Sequence, residues 1–258
     1  MRGDQRRRLV IRYTAENDWL LTTQPHHALV SAFLAAHWRG DADFPRPAPW
    51  PLLLVAVAEH DLGWHAWEAA PTLNQRGEPR DFLEMSLDDH LAIWRQGIAY
   101  ALQQSRLIAL LVSCHFTYLY EGRRSEAPVL AMLDEQSALQ ARLRAELGLD
   151  ENATREAYSL IRLMDWFSLA LALGRAEHGS VDLGSGPGGV PLVLEPLDDA
   201  TRLTVRPWPF DTDSLHVRME ARRVPRRTFA DDADFRETLR QAPLVLREWR
   251  LMRVGRQI

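Results

Sequence analysis

Leu52-Leu-Leu-Val-Ala-Val-Ala-Glu-His60-Asp61-Leu-Gly63-Trp64 is the stretch that decides how this chain is read. Pro51 suits the first position of a helix, where its missing N–H has no helical partner to lose, and Gly63 can take the left-handed conformation that ends one. Nearly every residue between them is apolar, so the sequence predicts a helix buried on all sides. It nevertheless finishes in Glu59, His60 and Asp61. Burying an ionisable pair is costly unless a hydrogen-bond network or a metal ion neutralises it. An adjacent imidazole and carboxylate can form a structural pair or ligate one cation together, and the rest of the chain must choose between the two.

The bounds are simple. With 258 residues, 46% of them hydrophobic, the chain fits one domain with a substantial core. A net charge of -4 and a pI near 6.1 argue against a nucleic-acid partner. The single cysteine, Cys114, excludes a disulfide framework and suits a reducing cytoplasm. No apolar run reaches the roughly 18 residues of a membrane span, and the start, with Arg6-Arg7-Arg8, lacks the core of a signal peptide. Every basic residue besides histidine is arginine. The absence of lysine removes Schiff-base chemistry and any P-loop.

Working outward, Arg8 to Tyr13 and Trp19 to Thr22 flank Glu16-Asn17-Asp18 as a hairpin of two short strands. A helix is expected from about Pro25 to Trp38, with His26 and His27 in its first turn. The proline-rich run Phe44 to Pro51 is a stiff connector. Gly63 to Asp81 reads as a long loop, of the kind that is often functional. Ser86 and Asp89 form a capping box for a helix to about Gln104 whose inner stripe includes His90. Leu107 to Tyr120 is a mostly apolar helix carrying His115, and Glu126 to Leu147 an amphipathic one closed by Gly148. Asp150 caps a helix to about Leu173, with Asp165 on its apolar stripe of Ala157, Ile161, Met164, Ser168 and Ala172. Gly184-Ser-Gly186-Pro-Gly-Gly189 matches a dinucleotide-binding string, but no convincing strand precedes it and no helix follows, so it reads as a flexible loop. Arg202 to Arg206, Leu215 to Glu220 and Leu244 to Met252 alternate like strands, the last after a short helix near Asp232 to Gln241. The expected fold is therefore mainly α within an α+β class. A helical bundle spans 23–175, and a small antiparallel sheet comes from the N-terminal hairpin in 1–22 and the strands of 190–258.

Nine histidines are present, and His27, His60, His90 and His115 fall on or beside buried helical faces together with Asp61 and Asp165. Burying that many polar groups separately is expensive, and a shared metal centre accounts for them together. Ser113 and His115 do not make a nucleophilic pair, because residues two apart on a helix point in different directions. The cluster Arg222, Arg223, Arg226 and Arg227 reads as a solvated surface.

His27, the His60-Asp61 pair and Asp165, each on its own helix, resemble the H…HD…D signature of the HD-domain metal-dependent phosphohydrolases. In that superfamily a helical bundle holds a divalent metal. His90 and His115 resemble the additional histidines of its dinuclear members. More closely, Thr23-Gln-Pro-His-His27, Ala58-Glu-His-Asp-Leu-Gly-Trp64, Leu111-Val-Ser-Cys-His115, Leu163-Met-Asp-Trp-Phe-Ser-Leu169 and Pro207-Trp-Pro-Phe210 resemble an uncharacterised bacterial family, domain of unknown function 3891, over most of the chain. The family pattern favours His27 over His26.

These resemblances imply one or two divalent ions (Mn, Fe, Mg, Ni or Zn) held by His27, His60, Asp61, His90, His115 and Asp165, with Asp61 central and His115 catalytic. The implied activity is hydrolysis of a small phosphorylated molecule, a phosphomonoester, phosphodiester or nucleotide, by metal-activated water. Arg76 and Arg80 in the long loop are candidate phosphate clamps, and Trp64 and Trp67 candidate pocket walls. Two other readings stay open: an HD-like di-iron oxygenase, and a non-catalytic module whose metal stabilises the fold.

Overall fold

The computed structural model describes residues 11–81 and 84–255. Residues 8–10 of the expected first strand, and Arg6-Arg7-Arg8 before it, lie outside the described residues. The strands are β1 Ile11–Ala15, β2 Asp18–Thr22, β3 Val181–Ser185, β4 Pro191–Pro196, β5 Arg202–Arg206, β6 Ser214–Pro225 and β7 Leu244–Met252. The helices are α1 Gln24–Ala36, α2 Trp50–Ala58, α3 Trp64–Glu68, α4 Leu87–Gln104, α5 Arg106–Tyr120, α6 Ala127–Leu147, α7 Glu151–Ala172 and α8 Asp232–Gln241.

The expectation of a mainly helical bundle with a small sheet is overturned. The fold is mixed α/β, 49% helix and 21% strand, with one seven-stranded sheet curled into a half-barrel. Its order is β1-β2-β6-β7-β5-β4-β3, antiparallel throughout except for the parallel β5–β7 pair. Two strands went unread because of their punctuation. Glycine interrupts β3, where the register shifts between Asp182 and Gly184, and proline bounds β4 at both ends, features that usually demote a strand. The glycine run 184–189 ends β3 and makes the turn into β4. A strand does precede it, contrary to the sequence reading, but a strand also follows, so the helix that a dinucleotide site needs is absent. β6 is twice the expected length because buried Val217, Met219, Ala221 and Val224 alternate with exposed residues, including the arginines that read as mere surface.

Several helices begin where a side chain satisfies a free N–H group. Thr23 accepts from His26 N at 3.2 Å, Ser86 from Asp89 N at 3.1 Å, and Asp150 from Ala153 N at 2.7 Å. α2 departs from expectation in two ways. It stops at Ala58, with Glu59 as its C-cap, so His60 and Asp61 occupy the turn into α3. It is also not buried on all sides, since Leu52 and Val55 are exposed while Leu53, Ala56 and Val57 are buried. α3 lies inside what was expected to be loop. Helices α1, α2, α5 and α7 pack on one another, and α1 and α7 also lie against the sheet. One continuous apolar cluster joins Val30 and Leu34 of α1, Leu110 of α5 and Leu160 of α7 to Leu194, Val217 and Leu251 of the sheet. A smaller cluster sits where Leu73 of the long loop and Phe235 of α8 cover Trp19, Leu21 and Val224 of β2 and β6.

Candidate metal centre

The four helices that pack together deliver the expected donors to one place. His27 comes from the first turn of α1, His60 and Asp61 from the turn after α2, His115 from α5 and Asp165 from α7, and all are buried. Two overlapping sets have donor atoms within 4.8 Å of one another: His27, His60 and Asp61, and His60, His115 and Asp165.

Four atoms form a ring in which nitrogen and oxygen alternate. His27 Nε2 lies 3.0 Å from Asp61 Oδ2, which lies 3.6 Å from His60 Nε2. That nitrogen is 3.4 Å from Asp165 Oδ1, and Asp165 Oδ1 is 3.6 Å from His27 Nε2. The middle of a square with sides of this length is about 2.4 Å from each corner, a little beyond the ~2.0–2.2 Å bonds that a divalent ion makes to nitrogen and oxygen. His115 Nε2 stands outside this ring, 3.8 Å from the second carboxylate oxygen of Asp165.

The proton positions show what the ring lacks. His60 Nδ1 donates to the Val57 carbonyl at 2.7 Å, so in the neutral ring Nε2 carries a lone pair. That Nε2 is sealed from solvent and has no hydrogen-bond partner. His27 Nδ1 is 2.5 Å from Ser168 Oγ. Ser168 Oγ is also 3.2 Å from the Asp165 carbonyl and 2.8 Å from Ser31 Oγ; when it donates to that carbonyl it accepts from His27, whose Nε2 is then a lone pair too. Neutral rings would thus aim lone pairs at carboxylates, an arrangement that requires either a proton or a cation. Without a cation His60 takes the proton. Burial pulls its pKa down, but Asp61 and then Asp165 outweigh burial and lift it to about 9. Burial pushes Asp165 up, yet the His60 ring, followed by the charges of the other histidines, holds it at about 2. Asp61 is likewise held low against burial by His60 and His27. Burial dominates at His115 and lowers it to about 4, so that ring is neutral at neutral pH.

The remaining candidates are placed elsewhere. His90 falls in neither donor set. Its Nδ1 pairs with the Tyr120 hydroxyl, and its ring is edge-on to Trp64 at 5.7 Å. Trp64 packs with Ile93, Trp67 and Met85. The Arg76 guanidinium binds Glu78 and Glu84, and Arg80 Nε donates to the Leu73 carbonyl. Both arginines brace the long loop.

Several partners of the centre were not picked out from the sequence. Ser31 and Ser168 lie one turn beyond His27 and Asp165, and Tyr158 two turns before Asp165 on the same face of α7; helical spacing from the acidic residue would have found them. Glu68, at the end of α3, accepts from the Gln24 N–H at 2.8 Å. Burial raises its carboxyl to about 8, with the Gln24 bond opposing and the charge of Asp61 adding to the rise.

A family model described as a protein of unknown function, DUF3891, matches residues 10–226. No curated protein and no solved structure matches the chain.

Proposed function

The chain belongs to the DUF3891 family of proteins of unknown function, and from its donor set we propose that it is a metal-dependent hydrolase of small phosphate esters. The observation that carries this is the sealed, unpartnered Nε2 of His60 inside a ring completed by His27, Asp61 and Asp165. Imidazole nitrogens aimed at two carboxylates need a proton or a cation between them, and a divalent ion satisfies all four atoms and cancels both negative charges. The order of the four residues along the chain supports an HD-type phosphohydrolase.

His27, His60, Asp61 and Asp165 would hold the ion. When bound, such an ion supplies Lewis acidity and an acidified water. The chain's own part is electrostatic. Asp61 and Asp165 neutralise the ion, so an anionic ester meets a centre without net repulsion. The Val57 carbonyl fixes His60 in the tautomer that a ligand needs, and Ser168 orients the His27 ring.

The test is elemental analysis of protein purified without added metal, followed by assays on aryl phosphate monoesters, aryl phosphate diesters and nucleotides. About one divalent ion per chain is expected, with hydrolysis that a chelator abolishes and re-added metal restores. A chain that retains no metal and hydrolyses no ester with any of the five ions would refute the proposal. Iron-dependent oxygen uptake without hydrolysis would replace it with the oxygenase reading.

A further inference from the structure

The three histidines of the centre differ in what holds their outer nitrogen. The Val57 carbonyl beside His60 can only accept, whereas the Ser168 hydroxyl beside His27 can give or accept and has the Asp165 carbonyl as a second acceptor. His60 is therefore fixed with a proton on Nδ1. His115 Nδ1 lies 3.0 Å from the Tyr158 hydroxyl, a group that can give or accept. Tyr158 is buried, and among the described residues its hydroxyl has no hydrogen-bond partner except His115. If His115 gave its proton to Tyr158, the hydroxyl proton would be stranded in the core, at the desolvation cost of an unmade hydrogen bond. If Tyr158 gives, the bond is complete and the ring's proton sits on Nε2.

The surroundings hold the ring in this pose. It stands edge-on to His60 at 5.0 Å and at a steep angle to Trp94 at 5.6 Å. A single rigid helix, α7, supplies both Tyr158 at the outer nitrogen and Asp165 at the inner one.

We infer that Tyr158 is a positioning residue that donates its proton to His115 Nδ1 and thereby turns a protonated Nε2 toward the centre, as the hydrogen-bond donor for an anionic oxygen of the substrate. His115 is then a donor beside the ion and not a ligand of it. The substrate half of this inference rests on the phosphate-ester reading; the proton position does not.

Nitrogen-15 spectra of histidine-labelled full-length protein test it, with His115 assigned by its loss in His115→Gln. In the metal-free wild type, His115 should show a protonated, pyrrole-type Nε2 and a bare Nδ1, and the pattern should persist after loading with zinc alone. In zinc-loaded Tyr158→Phe nothing holds the proton on Nε2 against the cation, so the pattern should invert to a protonated Nδ1 with a zinc-shifted Nε2. A wild type with its proton on Nδ1, or zinc coordination by His115 in the wild type, overturns the inference. So does an identical pattern in Tyr158→Phe with zinc. If the protein takes up no zinc, the metal reading fails while the metal-free spectrum still decides the proton position.

Discussion

At the scale of single residues the centre separates into atoms that hold charge and atoms that aim them, and substitutions should sort the same way. Asp165→Asn keeps size and removes the negative charge facing His60, so divalent-ion affinity should fall by well over ~100-fold. Ser168→Ala removes only the hydroxyl that orients His27, and should cost about 10–100-fold. Titration calorimetry with zinc measures both; equal losses would contradict the division. Protonation gives a second prediction. In the metal-free chain the stability from His60, raised from 6.5 to about 9, is complete below pH 6.5 and is lost as pH rises through 9. His115, lowered to about 4, acts oppositely: the unfolded chain binds a proton near 6.5 that the folded chain refuses, so stability falls from pH 6.5 to 4. Asp165, held at about 2, extends the loss below that. The metal-free protein should therefore be most stable near pH 6.5. With zinc bound, stability should instead climb from 6.5 to 9, because the ion displaces the His60 proton. Thermal midpoints across pH, with and without chelator, would show the two slopes; a metal-free protein that gains stability up to pH 9 removes the basis for the His60 assignment. His60, Asp61 and Asp165 were legible because a charge in an apolar run demands a reason. Tyr158 and Ser168 were not, since a tyrosine or serine on an amphipathic helix demands none.

At the scale of elements, the turn that carries His60 and Asp61 is set by a close approach of two backbones. The sequence suggested that Gly63 ends a helix with a left-handed residue, but its φ is -61°. Its requirement is space. A Cβ there would drive into the Ile93 carbonyl oxygen, and one on Gly97 would come within 2.9 Å of Gly63 N. Gly63→Ala should push α4 away from the turn and destabilise by about 3 kcal/mol, lowering the midpoint by roughly 6–12 °C. Gly122→Ala, with nothing within 4 Å of the added carbon, is the control. Similar midpoints for the two variants would mean that the approach is slack. Helix identity was readable because caps and 3.6-residue periodicity are local. The full run of β6 was not, because its alternation passes through arginines that only the partner strands explain, as in the pairing of Arg222 with Leu21 and Leu244.

At the scale of the whole molecule, the last strand in sequence is the middle strand in space. β7 lies between β6 and β5, pairing with β6 over residues 214–222 and burying Trp249 and Leu251 in the core that also holds α7. Arg247, nearby on the same strand, stacks on Tyr13 at 4.0 Å and donates to the Ala172 carbonyl at the end of α7. Ending the chain at Arg226 removes β7 and α8 together. It should leave a protein without a cooperative thermal transition and without bound metal, as read by circular dichroism and elemental analysis. A folded, metal-loaded 1–226 fragment would show that the helices stand without the sheet. No local signal in the sequence announces this dependence, because strand order is settled by which faces the other strands leave open.

The donors at positions 27, 60, 61 and 165 come from three well-separated stretches of a chain with one cysteine. An ion held by them ties together what no disulfide can, closing long loops that an open chain would leave free. The Asp165 side chain keeps 13% of its surface exposed, whereas the rings of His27 and His60 keep none; an ion held by all four residues is released when α1, α7 or the turn between α2 and α3 swings open. Its residence time is then set by the rate of that opening and not by the lability of its bonds, so exchange against an isotopically distinct zinc would clock the breathing of the fold.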